Sequence, residues 1–166
     1  PSQKIEGRCG DNAIYSYDKA TRTLMISGTG AMWNGTKYSH LGTVDKIVIG
    51  NGITVIGEDA FAQFNSVGSA EISDTVTTIK SNAFKDLKSI TIPKTVRTVE
   101  TDAFCFLGKV VVEGDMNNFQ YGALGYGVQE VQLKGSAETL GLALAEVQDR
   151  DYLSVTITKD NNRCRI

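Results

Sequence analysis

Three cysteines and one histidine carry most of the nucleophilic and metal-binding capacity of this 166-residue chain. Cys105 stands between Phe104 and Phe106 in "TDAFCFLG", where it could be a buried core thiol, a reactive nucleophile or half of a disulfide. A Cys-His or Ser-His pair would have to use His40, which falls in the polar stretch "TKYSHLGT" and reads as a solvated loop side chain. Zinc needs clustered ligands, and three scattered cysteines with one histidine lack that spacing. "GDMNN" and "KDNNR" lack the alternating acids and closing glutamate of a calcium loop, so they read as turn chemistry. "GTGAM" lacks the Gly-Lys-Ser/Thr ending of a phosphate-binding loop. The expectation is a chain with no catalytic residues, no metal and no cofactor.

The totals narrow the class further. A net charge of −2 and a pI near 5.4 give no electrostatic footprint for nucleic acid or an anionic membrane. No run approaches the roughly 18 to 20 apolar residues that span a bilayer. The opening "PSQKIEGRCG" is polar, so any signal peptide is expected to be gone already. Its "IEGR" also matches a protease-cleavage tag and supports no fold inference. Seventeen glycines and only two prolines, with many Thr and Val, favour strands and turns.

What must position these residues is a repeat. Ala60-Phe61, Ala83-Phe84, Ala103-Phe104 and Ala123-Leu124 recur at spacings of 23, 20 and 20 residues. Eight and five residues before each anchor lie Ile53 and Ile56, Val76 and Ile79, Val96 and Val99, then Met116 and Phe119. Upstream of those stand alternating couples: Ile47 and Ile49, Ala70 and Ile72, Ile90 and Ile92, Val110 and Val112, with Val131 and Leu133 after them. A period of 20 to 50 residues points to a solenoid, and period-two alternation predicts a short strand in each unit. The Ala-Phe segments, beginning after Ser81 or Thr101, are expected to form one or two helical turns on the outer side. One unit cannot cover its own apolar face, so stacked neighbours must supply the core.

At these residues the chain resembles the BspA-type leucine-rich-repeat proteins of bacteria and protists. Their repeat typically reads "ITIPxxVxxIxxxAFxxC", close to "ITIPKTVRTVETDAF" at residues 90 to 104. "CGDNAIYSYDKATRTLMISGTGAM" is similar to their amino-terminal hairpin, and "GSAETLGLALAEVQDRDYLSVTI" to their closing helix and strand. The resemblance implies a non-catalytic adhesion or protein-interaction module, secreted or on the cell surface, with a host or extracellular-matrix protein as partner. The alternative is a carbohydrate-binding or targeting appendage of a larger extracellular enzyme. The family's polar column three residues after Phe is filled here by Phe64, Leu87, Leu107 and Gly127. Cys105 instead shares a column with Ala62, Lys85 and Gly125, which marks it as a rim thiol.

The expected fold is therefore an α/β repeat solenoid, a rod with one parallel strand per 20–23-residue repeat. Its parts are a tail (1–8), a hairpin cap (9–43), repeats (44–134), a helix-plus-strand cap (135–158) and a flexible tail (159–166). Trp33 and Met32 would plug the first coil, and Ser136 would cap a helix burying Leu140, Ala143, Leu144 and Val147. Six stacked strands span roughly 24 Å. A disulfide needs Cα atoms within about 7 Å, so Cys9 at one end and Cys164 at the other are not expected to pair. Two ladders would face outward as a binding surface: Lys46, Ser69, Ser89, Lys109 and Glu130, and Val48, Glu71, Thr91, Val111, Gln132 and Thr156. A second candidate is an aromatic patch of Phe106, Tyr121 and Tyr126, with cover by the closing helix as the favoured account of its apolar character.

Overall fold

A computed structural model describes residues 3–148, 150–159 and 162–165, the last strand by its backbone. The chain opens with three antiparallel strands, β1 (Lys4–Arg8), β2 (Gly10–Asp18) and β3 (Thr23–Met32). β3 then starts two parallel strips. Its first half, Thr23 to Ile26, pairs with β4 (Lys46–Ile49), and its end pairs with β5 (Ile53–Ile56).

The first strip grows one strand per coil. β4 is followed by β6 (Val67–Ile72), β8 (Phe84–Ile92), β10 (Phe104–Val112), β11 (Glu130–Leu133) and β12 (Ser154–Lys159), all in parallel. The second strip continues from β5 through β7 (Thr78–Ile79) and β9 (Thr98–Val99) to a bridge at Phe119. The result is a parallel β-solenoid of about six turns with few helices. The repeat columns account for it. Ile47, Ile49, Ile53, Ile56, Ile79, Ile92, Val99 and Val112 are all at most 2% exposed, because each coil turns these residues toward its neighbours.

Ala60, Ala83, Ala103 and Ala123 are fully buried where only a small side chain fits. The aromatic column beside them is a stack along the rod. Tyr38 lies 6.1 Å from Phe61, Phe61 5.2 Å from Phe84, and Phe84 5.4 Å from Phe104. Tyr15 closes the stack edge-on against Tyr38 at 5.1 Å. These rings also mark a coil before the first Ala-Phe anchor, with Tyr38 in the phenylalanine column.

The Ala-Phe segments are not helical. Phe84 and Phe104 open nine-residue strands that run straight into the apolar couples, and Ser81 and Thr101 cap nothing. Instead the residue before each alanine turns the chain sharply: Asp59, Asn82 and Asp102 have φ of 54°, and Gly122 has 62°. Asn, Asp and Gly tolerate this left-handed conformation best. Backbone N–H groups at the turns find partners one coil on: Ser81 donates to Glu100 Oε2 at 3.0 Å, and Thr101 to Gln120 Oε1 at 3.2 Å. The longer first repeat breaks the strand after Phe61 and uses a turn through Ser66, also left-handed, whose N–H donates to Asp86.

The ends differ from expectation too. Residues 4–8 form β1 rather than a tail, and Asn162–Arg165 pair antiparallel with β12 as β13. Met32 is buried, but Trp33 is 41% exposed; its indole donates to Asp11 and the Arg8 guanidinium lies over its ring. The closing helix is one turn, α1 (Leu140–Ala143), followed by a 3-10 turn at Arg150–Tyr152. Ser136 does not cap it. Its hydroxyl donates to Asn117, and Thr139 occupies the N-cap position while bonding Met116 and Phe119. Leu140, Ala143, Leu144 and Val147 are nonetheless buried against the last coil.

Candidate functional site

The two outward ladders are in register. Lys46, Ser69, Ser89, Lys109 and Glu130 are paired strand to strand, as are Val48 and Glu71, Thr91 and Val111, then Val111, Gln132 and Thr156. The register also carries both rows onto the amino-terminal strands, which spacing alone could not show. Thr23 pairs with Lys46 and Met25 with Val48, and through β2 and β1 the rows reach Asp18 and Lys4, Ser16 and Glu6. The signal for this was present in the alternation of "YSYD" and "TLMIS".

Between long ion-paired side chains the short Ser69, Ser89 and Thr91 leave a shallow concavity of about 550 Å³, edged by Glu71, Lys109 and Val111. Lys46 meets Glu71 at 2.5 Å, Lys109 meets Glu130 at 3.4 Å, and Lys134 meets Glu113 at 3.2 Å. Gln132 donates to Glu130 at 2.8 Å. Each exposed pair is worth little in stability, about 0.2–1 kcal/mol, but together they leave the face nearly neutral. It is a surface for shape and hydrogen bonding.

The aromatic candidates are uncovered. Phe106 is 47% exposed and Tyr121 51%, and Tyr126 is partly exposed as well. Phe106 and Tyr126 form an edge-to-face pair with centroids 4.6 Å apart. A Cβ at Gly127 would lie 2.9 Å from the Phe106 ring, and one at Gly125 2.3 Å from the Phe104 carbonyl, so both glycines are needed for this arrangement. α1 lies instead against the 122–124 segment, through Gly122 N–H to Leu142 and Leu124 N–H to Ala143. Tyr121 makes no ring contact with the pair; the nearby Glu146 carboxylate raises the pKa of its hydroxyl.

Cys105 is half-buried beside Asn82, and burial, then the nearby Asp102 carboxylate, pushes its thiol pKa up. A raised pKa works against thiolate formation. His40 lies in the first coil, its Nε2 2.9 Å from the Tyr15 hydroxyl. Three coil steps, about 14 Å, separate that coil from Cys105, so the two cannot form a nucleophile–base pair. Cys9 is fully buried, and burial lifts its thiol pKa to about 11. The Cys164 side chain lies outside the described residues. Among the described residues no group of His, Cys, Asp and Glu is arranged to hold a metal, and no helix is long and apolar enough to cross a membrane.

A parallel strip of short strands, one per 20-odd residues, with a ladder of exposed polar side chains, defines a leucine-rich-repeat scaffold. The family model for the BspA type leucine rich repeat region matches residues 36–136 with six copies. The chain belongs to that family, in which repeats generally serve protein interaction, are typically non-catalytic and are typically surface-associated. The match begins just before Tyr38, in agreement with the extra coil. Among solved structures the chain is similar to a leucine-rich repeat protein from Eubacterium ventriosum ATCC 27560, with 21% identity and a TM-score of 0.52. That similarity covers 95% of this chain and 45% of the other, so the chain spans less than half of that protein. No curated protein matches.

Proposed function

We propose that the chain is a non-catalytic protein-docking module of a secreted or cell-surface protein, binding through the outer face of its parallel sheet. The observation that carries this is the registered double ladder around the open concavity at Ser69, Ser89 and Thr91. Flat, unencumbered sheet faces in repeat architectures bind large surfaces rather than small molecules. On this reading the antiparallel strands β1–β3 and the closing segment 135–158 act as caps, shielding the apolar ends of the stack. A host or extracellular-matrix protein is the partner the family setting favours.

The second reading, a carbohydrate-binding or targeting appendage, draws on the Phe106–Tyr126 pair, because exposed rings suit the apolar faces of sugars. One experiment separates the two. Wild-type protein, Thr91→Arg and Tyr126→Ala are tested against an extracellular-matrix protein panel and a glycan array. Protein binding lost at least ten-fold in Thr91→Arg and kept in Tyr126→Ala supports the sheet face. Glycan binding lost in Tyr126→Ala alone would replace it with the second reading.

A further inference from the structure

The outer face is partly self-complementary. Following the pairing register, one row across eight strands reads Lys4, Asp18, Thr23, Lys46, then Ser69, Ser89, Lys109, Glu130. Folding that row about a line between β4 and β6 sets Lys46 over Ser69, Thr23 over Ser89, Asp18 over Lys109 and Lys4 over Glu130. Both charged juxtapositions join opposite signs. The neighbouring row folds in the same way and sets Met25 over Thr91 and Ser16 over Val111. Met25, 46% exposed, is the protruding apolar side chain there, and Thr91 lies in the concavity. The knob and the hole thus sit at equal distances on either side of one line.

From this we infer that a second copy of the chain docks on the outer face by a two-fold axis parallel to the strands, between β4 and β6. The inference rests on the reading of that face as a docking surface and adds a second copy of the chain as an occupant that competes with a heterologous partner. An isologous interface makes every contact twice, so both Met25 side chains enter both concavities, and the Asp18–Lys109 and Lys4–Glu130 contacts each occur in duplicate. In a third row, Arg8 pairs with Ile14 and Ile14 with Ser27, and one position past Val112 and Leu133 stand Glu113 and Lys134. Folding that row sets the exposed Ile14 over Glu113 and Arg8 over Lys134, the one like-charged meeting; Arg8 is already stacked on Trp33, and Lys134 is held by Glu113. Seven strand steps of about 4.8 Å and strands roughly 15 Å long give on the order of 500 Å² per copy. About 1,000 Å² in total is the lower limit for a specific interface, which places this dimer among the small, weak ones.

The experiment is sedimentation velocity from about 5 to 500 µM on wild type, Asp18→Lys, Lys109→Asp and an equimolar mixture of the two variants, with thermal melts to verify folding. The wild type is expected to pass from monomer to dimer. Each variant alone opposes like charges at two places and should dimerise at least ten-fold more weakly, and Met25→Lys likewise. The mixture restores opposite charges at both places and should dimerise at least as well as wild type. A monomer throughout the range, or a dimer indifferent to these changes, overturns the inference. Neither result touches the heterologous reading of the face, whose own test is loss of partner binding in Thr91→Arg.

Discussion

The same coils carry two columns with opposite histories along the rod. Inward, the chain reads Tyr38, Phe61, Phe84, Phe104 and then Leu124: four stacked rings that end at an aliphatic residue. Outward, two residues past each anchor, it reads Gln63, Asp86, Phe106 and Tyr126, polar first and aromatic last. The inner column is constrained by a fixed coil spacing and must be filled in every coil. The outer column faces solvent rather than the core, so its composition changes along the rod. Repetition in this molecule records stability, and departure from repetition marks where the surface differs.

Breaking the inner column should have the largest effect. Phe84 is 2% exposed and stacked on both sides, so Phe84→Ala is expected to cost roughly 3–5 kcal/mol, read as a lowered denaturation midpoint in urea. The outer Phe106→Ala should cost well under half as much, because its ring is nearly half solvated. Equal losses would show that the two columns are not separated into packing and surface.

Next in size is a pH effect confined to the buried side. Cys9 has its thiol pKa raised by burial from 9.0 to about 11. The folded state therefore holds the proton more tightly than the unfolded state. The contribution is fully present below pH 9 and is lost as pH rises through about 11, amounting to about 2–3 kcal/mol. The stability difference between wild type and Cys9→Ala should be constant from pH 7 to 8.5 and shrink above pH 9. A difference that stays flat to pH 11 would mean that Cys9 is solvated.

Much of this division was legible before any coordinates. The apolar columns, the solenoid, the parallel strands and the outward ladders follow from period and alternation. What escaped has physical reasons. The Ala-Phe segments read as helical because Ser81 and Thr101 are good cap residues, yet a strand was formed, since pairing with neighbouring coils satisfies more backbone groups than an isolated helical turn. Asp59, Asn82, Asp102 and Gly122 form a column of left-handed residues visible in the sequence as Asp, Asn, Asp, Gly; it was hidden only because no apolar residue marks it. The extension of the outer rows onto β1–β3 depends on register, which alternation alone leaves free by two-residue shifts. Exposure of Phe106 and Tyr126 depended on how far the closing helix would reach, and a one-turn helix reaches less far than the apolar spacing from Leu140 to Val147 implied.

That left-handed column gives the smallest of the expected effects and the sharpest comparison between coils. At Asn82, φ of 54° disfavours a branched side chain and is free for glycine. Asn82→Gly should leave stability within about 0.5 kcal/mol of wild type, while Asn82→Val should cost roughly 1–2 kcal/mol. In the next coil but one, Gly122 has φ of 62° with a neighbouring Glu146 side chain 2.6 Å from where a Cβ would lie. Gly122→Asn should therefore cost more than the reverse change at Asn82, although both residues suit the same backbone conformation. The two substitutions are compared by urea denaturation. If Gly122→Asn proves as neutral as Asn82→Gly, the turn conformation alone governs the column and the closing segment through Glu146 does not press on the last coil.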